Sequence, residues 1–389
     1  MKITKKYGAV IIEGHVQGLS NTRSLGEWGI PVVVLDTDDC VARYSKYCWR
    51  YYKCPPYFSD ALADFLIGLA KKQELKKWLL LPSNDHAVLT IARNKERLEQ
   101  YFKVITPELN VVENIYDKSR LLSIAEKVGV PYPKTFYAHD FNPTDVFLSF
   151  PVLTRGRFGL DFYKAMGRKA FLANDIEELR KQLFFINKRF PVQKTLTQEL
   201  IPDYETNKTI SFTAFCLDGE IKAFWMGEKL REHPVRFGTA TFAKSVYMKG
   251  CYTQSVPLLK ELNYTGVCEL EYLHDPRDGH YKLIEINART WLWVGLAKAC
   301  GVDFARMAYA HVNGIDTVYP NQYEIDVYWI NPVTDAVYAA KEIFKGHINI
   351  FSYIGSLLNS KKVNALFTKK DWKPSIVYCF SIFRFIKKR

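Results

Sequence analysis

Three features that identify common classes of protein are missing from this sequence. No apolar run reaches the roughly 20 residues that a transmembrane helix needs, although 48% of the 389 residues are hydrophobic. The eight cysteines are scattered, and no two have the spacing of a metal or redox motif. The eight histidines form no zinc pattern. These absences favour a reduced, cytoplasmic protein over a secreted, disulfide-stabilised one, and the length allows two or three domains.

Negative charge is scarce at the C-terminus. Of a net charge of +13, the tail from Lys361 to Arg389 contributes +8, because nine Lys or Arg face a single acid, Asp371. The tail is also rich in aromatic and aliphatic residues, which favours a peripheral membrane contact over nucleic-acid binding. Packing of the tail on the body of the protein, with solvated lysines at its end, is the competing interpretation and the one we prefer.

The first hundred residues alternate between strand and helix patterns. Such an order predicts a parallel, doubly wound sheet, in which ligands bind outside the carboxyl ends of the strands. The predicted strands are Ala9–Ile12, Pro31–Leu35 and Trp78–Leu81, and the predicted helices are Ser20–Trp28, Asp60–Lys72 and Asp85–Glu99.

A dinucleotide site is an alternative use of this sheet. Gly14 and Gly18 follow the first strand, and Asp36 closes the second, where a ribose-binding acid would lie. The full G-x-G-x-x-G pattern is missing, so the signal for NAD(P) is weak.

The most informative polar pattern is a pair of predicted strands near residue 280. Glu285, Asn287 and Arg289 occupy alternate positions and therefore project from one face. Glu271 lies on the preceding apolar run, and residues 275–280 between them predict a hairpin turn. Two carboxylates and an amide oxygen on one surface suit Mg²⁺, and the guanidinium beside them suits an anion. A solvated surface hairpin is the competing interpretation, but the combination favours a metal–phosphate site.

The pattern Glu271 followed by Glu285-x-Asn287-x-Arg289 resembles the metal-binding signature of the ATP-grasp superfamily, and of its carboxylate–amine ligases in particular. The resemblance extends from about Val10 to about Gly314. It implies an α/β fold with an N-terminal doubly wound parallel sheet, a small α+β lid and a C-terminal core built on an antiparallel sheet. The segments that it implies are a substrate domain at 1–112, a linker helix and lid at 113–202, a metal-binding core at 203–316 and an extension at 317–389.

The same resemblance implies a site for ATP and Mg²⁺, with Mn²⁺ as an alternative metal. Lys118, after Tyr116 and Asp117, matches a lysine that contacts an ATP phosphate. Arg155 stands where relatives mostly have lysine, before a loop with Gly156 and Gly159 whose amides suit phosphates; arginine and lysine are not interchangeable at such a position. The stretch that resembles the adenine-binding hinge contains Glu199, Leu200, Ile201 and Glu205, with Glu199 on the adenine side and Glu205 at the ribose.

A basic loop between hinge and hairpin spans Glu228–Thr239. Lys229 and Arg231 are the residues that we expect to contact the transferred phosphoryl group beside Arg289. Solvated surface charge is an equally good interpretation of this loop. By resemblance, the carboxylate substrate would lie near His15, Arg23, Ser83 and Asp85, although a cap or turn role explains each of these as well.

The function implied is an ATP-dependent ligase. It would activate a carboxylate as an acyl phosphate, from which an amine displaces phosphate to form an amide. The expected partners are a small-molecule carboxylate and amine, without nucleic acid, and relatives are commonly homodimers. Two other classes remain open: a non-catalytic ATP-binding scaffold, and an NAD(P)-dependent enzyme that uses the N-terminal sheet. Residues 317–360 carry no motif beyond a predicted helix at Asp335–Lys345.

Overall fold

Three β-sheets organise the protein. The computed structural model describes residues 7–137, 149–202, 209–233, 238–358 and 361–387. The sheets have five, four and seven strands and follow one another along the chain. Among the described residues, no helix is long and apolar enough to cross a membrane.

The N-terminal sheet is parallel and doubly wound, as predicted. Its strands have the order β3-β2-β1-β4-β5. Every residue of β1, β2 and β4 is buried, which explains their unbroken Val, Leu and Ile runs, because helices cover both faces of such a sheet. The elements are β1 (Ala9–Ile12), α1 (Val16–Glu27), β2 (Val32–Asp36), β3 (Cys48–Lys53), α2 (Ala61–Lys72), β4 (Leu79–Pro82), α3 (Asp85–Arg93), α4 (Lys95–Glu99) and β5 (Lys103–Val104).

Two helices and the small sheet come next. The four strands have the order β6-β9-β7-β8 and pair antiparallel, and two helices pack against them around Phe162 and Leu179. The elements are α5 (Leu109–Tyr116), α6 (Lys118–Lys127), β6 (Thr135–Tyr137), β7 (Val152–Gly156), α7 (Gly159–Met166), β8 (Phe171–Ala173), α8 (Ile176–Asn187) and β9 (Thr195–Glu199).

The largest sheet has the order β14-β13-β10-β11-β12-β15-β16. All of its pairs are antiparallel except β15 with β16. The first part comprises β10 (Ile210–Leu217), β11 (Glu220–His233), β12 (Thr239–Ser245), α9 (Lys249–Glu261), β13 (Gly266–His274), β14 (Tyr281–Asn287), α10 (Val294–Ala299) and α11 (Phe304–Val312). The second part comprises β15 (Tyr328–Ile330), α12 (Pro332–Phe344), α13 (Ile350–Leu357), β16 (Lys362–Asn364) and α14 (Lys373–Lys387).

Strand β10 shows how this sheet separates a hydrophobic core from a polar face. Phe212 and Ala214 belong to one hydrophobic cluster beneath the sheet. Ser211 and Thr213, which alternate with them, are fully buried polar residues on the opposite face. Their neighbours on β13 are Glu271 and Glu269. The polar face therefore carries the acidic residues that the sequence pattern singled out.

The C-terminal segment is part of this sheet rather than an appendage. Strands β15 and β16 extend it beyond β12, and Tyr378 of α14 is buried. The predicted boundary at residue 316 thus falls within a continuous sheet, and the predicted helix Asp335–Lys345 corresponds to α12.

Candidate functional site

One pair of acids and one pair of an acid with an amide lie across the β13–β14 hairpin. Glu271 is the direct cross-strand partner of Glu285, and Glu269 is the partner of Asn287. Directly opposed residues of antiparallel strands have their Cβ atoms about 5 Å apart. The structure therefore brings together the three predicted metal ligands, Glu271, Glu285 and Asn287.

Cationic side chains surround these carboxylates. Lys229 Nζ lies 2.7 Å from Glu271 Oε1, and Lys118 Nζ lies 3.6 Å from Glu285 Oε2. Arg155 interacts electrostatically with Glu285 as well. Lys118, Lys229 and Arg155 come from distant parts of the chain, so the fold itself assembles this cluster.

The charged groups of this cluster strongly shift one another's pKa values. Burial raises the pKa of Glu285, but Lys118 and further cations outweigh this effect and lower the pKa to about 2. Burial lowers the pKa of Lys229, yet Glu271 and Glu269 raise it above its usual value. Burial and the neighbouring Glu271 raise the pKa of Glu269 to about 7. The hairpin thus holds Glu285 ionised at neutral pH.

Arg155 enters the cluster from β7 of the small sheet. One guanidinium nitrogen, Nη2, donates to the Ile284 carbonyl at 3.2 Å. Nε is buried and has no hydrogen-bond partner among the described residues, and burial lowers the pKa of this arginine. A buried donor without an acceptor costs stability, so this guanidinium is suited to an anion that binds beside the hairpin.

The loop after β7 is tied to Lys118. Arg157 pairs with Asp117 through two hydrogen bonds of 3.1 and 2.6 Å, and the Lys118 amide donates to the Arg157 carbonyl at 3.0 Å. A Cβ added at Gly159 would lie 3.9 Å from Lys118 Nζ. The glycine loop and Lys118 therefore form one unit at the edge of the carboxylate cluster.

A pocket leads from this unit to the predicted hinge. Its walls include Leu153, Arg155 and Ile284 together with the predicted hinge residues Glu199, Leu200 and Ile201. Glu199 accepts from Arg277 Nη1 at 2.9 Å and from the Lys134 amide at 3.0 Å. The Leu200 amide donates to the Pro151 carbonyl. Glu205 lies outside the described residues.

Arg289 joins the hairpin to the N-terminal sheet. Its guanidinium donates to both oxygens of Asp85, at 2.8 and 2.9 Å, and to Asn287 Oδ1 at 3.3 Å. Tyr116 also donates to Asp85, at 3.3 Å. Ser83 lies next to the end of β14, 3.5 Å from Thr290 Oγ1. Two of the predicted substrate residues, Ser83 and Asp85, are thus adjacent to the acidic hairpin.

The structure does not bring Arg231 into this cluster. A shift in the β11–β12 register falls between Lys229 and Arg231, and the Arg231 guanidinium makes two hydrogen bonds with buried Asp335, at 2.9 and 2.7 Å. It also lies over the Phe242 ring. This geometry corrects the expectation that Arg231 contacts the phosphoryl group, because its guanidinium lies against Asp335 of α12 and Ser356 of α13 rather than beside the hairpin carboxylates.

Arg23 and His15 face the C-terminal segment. Arg23 Nε lies 2.9 Å from Asp371 Oδ2, and the same guanidinium donates to the Leu366 carbonyl. His15 precedes α1, and its ring centroid lies 6.3 Å from that of Tyr378. For Arg23 this is a correction, since a buried intramolecular ion pair replaces the expected substrate contact.

Glu13 is a site residue that the motif search did not select. It directly follows β1, and its backbone φ is 76°, a value that residues other than glycine rarely adopt. Its carboxylate accepts from Gln17 at 2.7 Å and from Asn84 at 3.4 Å. Burial raises the pKa of Glu13 to about 7, although Arg289 acts against this shift. Its position at the carboxyl end of a central parallel strand was the available signal.

Glu269 is a second residue of this kind. It accepts from Ser211 Oγ at 2.7 Å and from Asn287 Nδ2 at 3.0 Å, so it orients a predicted metal ligand. The sequence could have indicated Glu269, because residues 269 and 271 are two positions apart on one strand and therefore share a face.

The donor set of the hairpin fits Mg²⁺. Among the described residues, no group of three or more His, Cys, Asp or Glu side chains could hold a metal ion, so the hairpin offers two carboxylates and the amide oxygen of Asn287 instead. Carboxylate and amide oxygens are hard ligands, and Mg²⁺ commonly takes one or two carboxylates together with phosphate oxygens. The unpartnered Nε of Arg155 beside the hairpin is consistent with that phosphate.

Sequence comparison identifies a matching family model and a curated relative. Residues 179–316 match the family model described as "Carbamoyl-phosphate synthase L chain, ATP binding domain". The chain is 26% identical over 262 residues to D-aspartate ligase of Enterococcus faecium (strain Aus0004), an alignment that covers 64% of this chain. The chain spans only 62% of the length of that relative.

Structure comparison identifies the fold. N5-carboxyaminoimidazole synthetase from Staphylococcus aureus superimposes with a TM-score of 0.66 at 16% identity, covering 89% of each chain. L-amino acid ligase from Bacillus licheniformis superimposes with a TM-score of 0.60 at 14% identity, covering 79% of this chain and 75% of that one. The chain is therefore similar to an ATP-binding domain over residues 179–316 and has the fold of these solved enzymes, in agreement with the expected resemblance to ATP-grasp carboxylate–amine ligases.

Proposed function

We propose that this protein is an ADP-forming ligase that uses ATP and Mg²⁺ to join a carboxylate to an amine. The observation that carries the proposal is the opposition of Glu271 and Glu285 beside the buried Lys229 and the half-buried Lys118 and Arg155. A buried cluster of this kind costs stability unless its charges are paired, and a nucleotide triphosphate with its metal completes the pairing. The relatives named D-aspartate ligase and L-amino acid ligase support an amino-acid substrate.

The hairpin residues would hold the metal. Glu271, Glu285 and Asn287 supply the ligands, and Glu269 fixes the Asn287 amide through a 3.0 Å hydrogen bond. When bound there, Mg²⁺ would neutralise negative charge that develops during phosphoryl transfer. The low pKa of Glu285 keeps this ligand ionised across the physiological range.

The surrounding cations would position the phosphates. Lys118 and Arg155 approach Glu285 from the side of the hinge pocket, and Lys229 approaches Glu271 from β11. Fixed positive charge in a buried site stabilises a phosphoryl group without reorganisation during the reaction. The pocket lined by Glu199, Leu200 and Ile201 would take the adenine.

Arg289 and Glu13 would serve the acyl-transfer half of the reaction. Arg289 lies where the hairpin meets the N-terminal sheet, so it is placed to orient the carboxylate. The carboxylate oxygen takes the γ-phosphoryl group of ATP and releases ADP; the amine nitrogen then attacks the acyl carbon, and phosphate leaves. An ammonium substrate must lose a proton before this attack, and Glu13, with a pKa of about 7, is suited to accept it.

This assignment divides the chain into four parts. Residues 1–112 would bind the carboxylate at the carboxyl ends of the parallel strands, residues 113–202 would form the lid and hinge, and residues 203–316 would hold the metal. Residues 317–389 would complete the core sheet with β15 and β16.

Substrate-dependent ADP release tests the proposal. Pairs of carboxylates and amines, beginning with D-aspartate, are screened for ADP, and the condensed product is detected by mass spectrometry. Glu285→Ala should lower turnover by at least about 10³-fold, the order expected for losing a group that stabilises transition-state charge. The control Glu220→Ala removes an exposed carboxylate at the start of β11 and should retain full activity.

Each alternative class gives a different result. Turnover that survives in Glu285→Ala contradicts the metal assignment. Thermal protection by ATP without ADP release from any substrate pair indicates a non-catalytic scaffold. Protection by NADH but not by ATP indicates a dinucleotide enzyme.

A further inference from the structure

Helix α13 is apolar but buries none of its residues. Ile350, Phe351 and Ile354 are 49%, 80% and 48% exposed. The helix touches the body of the protein on one edge, where Arg231 donates to Ser356 and lies over the Tyr353 ring. A surface helix ordinarily turns its apolar stripe inward, but the residues that the structure describes leave this stripe uncovered.

The exposed surface extends beyond the helix at both ends. Phe344, at the end of α12, is 94% exposed, and Leu358, directly after α13, is 78% exposed. We call these two residues, with Ile350, Phe351 and Ile354, the apolar face. Four more large side chains of the same segment are at least 45% exposed: Phe367, Trp372, Ile376 and Phe380. Concentrated exposed apolar surface is the mark of a binding surface.

The C-terminal segment that carries the apolar face has a positive net charge. Residues 332–389 contain eleven Lys or Arg and three acidic residues, a net charge of +8. All three acids are hidden: Asp335, Glu342 and Asp371 are 0%, 5% and 3% exposed. Asp335 pairs with Arg231 and Asp371 with Arg23. Among the lysines whose side chains the structure describes, six are exposed: Lys341, Lys345, Lys361, Lys369, Lys370 and Lys373. The described surface of this segment is therefore cationic.

We propose that the apolar face docks on the surface of an anionic lipid bilayer. The helix has eight residues, and at 1.5 Å per residue it is too short to span a membrane, so it would lie in the interface. Apolar side chains would bury themselves in the boundary between headgroups and acyl chains, while lysines attract the anionic headgroups.

The charge and composition of the segment favour a lipid bilayer over another protein as the partner of the apolar face. A second copy of this chain would place two cationic surfaces against each other, which is repulsive. Protein interfaces are depleted in lysine, whereas nine of the eleven basic residues in this segment are lysines. The inference is independent of the proposed function, because no residue of the apolar face lies in the candidate site.

Vesicle co-sedimentation of the full-length protein tests the inference. The probes are vesicles of phosphatidylcholine alone and of phosphatidylcholine mixed with phosphatidylglycerol. The double variant Phe351→Asp, Ile354→Asp should bind the mixed vesicles at least about tenfold more weakly, because each change removes buried apolar area and adds a repelled charge. The control Phe184→Asp alters a phenylalanine of α8 that is 67% exposed and should bind like the wild type.

Each outcome decides the matter. Stronger binding to the mixed vesicles that the double variant loses and the control retains supports the proposal. Equal binding to both vesicle types, no binding, or equal loss in both variants overturns it. A concentration-dependent dimer in light scattering that the double variant abolishes, without vesicle binding, would assign the face to a second copy and also overturns it.

Discussion

Arg155 shows what a single buried charge does at the candidate site. Its Nε has no acceptor among the described residues, and burial lowers its pKa. Arg155→Met should therefore leave the stability of the nucleotide-free protein unchanged or higher, since it removes a poorly satisfied buried charge. It should also weaken ATP binding by at least about tenfold, or 1.4 kcal/mol, because phosphate loses a donor.

Thermal unfolding with and without Mg-ATP measures both effects. Arg180→Met, which changes an exposed arginine of α8, is the control and should keep the full ATP-dependent increase in Tm. An Arg155→Met protein that ATP still protects as strongly as the wild type would remove this residue from the nucleotide site.

Glu13 gives a pH-dependent prediction. Burial raises its folded-state pKa from the usual 4.5 to about 7, so the folded protein binds this proton more tightly than the unfolded chain does. The wild type should lose stability as pH rises from about 4.5 to about 7, and the loss is complete above that range. Glu13→Gln lacks this titration and should be more stable than the wild type by about 2 kcal/mol at pH 8, the partial exposure of the side chain reducing the full effect.

Urea unfolding at pH 5 and pH 8 measures the difference. At pH 5 the two proteins should be nearly equal in their free energy of unfolding. The exposed Glu99 of α4 provides the control Glu99→Gln, which should match the wild type at both values. A Glu13→Gln protein with the same advantage at pH 5 and pH 8 would show that this carboxyl group does not titrate between them.

Some of these residues could be predicted from the sequence and others could not. The alternation of Glu285, Asn287 and Arg289 placed them on one face, and the structure has them there. Arg231 is likewise two residues from Lys229, but a register shift in β11 separates them and the Arg231 guanidinium pairs with the distant Asp335. Neither the shift nor a partner about a hundred residues away leaves a local signal.

At the scale of elements, the start of α6 joins the lid to the core. Asp117 caps this helix by accepting from the Ser119 amide and pairs with Arg157 of the glycine loop. Burial raises the pKa of Asp117, but hydrogen bonds from Arg157 and Ser119 outweigh it and lower the pKa below its usual value. Asp117→Ala should cost about 2–4 kcal/mol at pH 7, through the lost cap and the unpaired Arg157.

A second helix cap, which has no arginine partner in the described part of the chain, separates the contribution of the cap from that of the Arg157 pair. Asp175 caps α8 by accepting from the Glu178 amide, so Asp175→Ala should cost only about 1 kcal/mol. Because the folded pKa of Asp117 is depressed, its contribution is present above the usual carboxyl pKa and is lost as pH falls below about 4. Equal costs for the two variants in urea unfolding at pH 7 would mean that the Arg157 pair contributes nothing.

Elements differed in how well the sequence predicted them. Strands β1, β2 and β4 were found because burial on both faces makes them uniformly apolar. Strand β3, with the sequence Cys-Trp-Arg-Tyr-Tyr-Lys, was missed because it is a partly exposed edge strand without that pattern. The predicted helix Asp85–Glu99 is divided at Asn94, which ends α3 and precedes α4.

At the scale of the whole molecule, the C-terminal segment holds the N-terminal sheet against the core. Asp371 accepts from Arg23 Nε at 2.9 Å, from Ser45 Oγ at 2.7 Å and from the Lys46 amide at 2.8 Å. These contacts join residues more than three hundred positions apart, so no local sequence pattern indicated them.

Asp371→Ala should therefore destabilise the whole chain. Removing one partner of a buried ion pair typically costs about 3–5 kcal/mol, because the other charge stays buried without compensation. The double variant Arg23→Met, Asp371→Leu removes both charges and should cost less than Asp371→Ala alone. Asp64→Ala breaks the exposed Arg97–Asp64 pair and should cost no more than about 1 kcal/mol. Urea unfolding measures all three, and a double variant less stable than Asp371→Ala would show that the pair acts through packing rather than through charge.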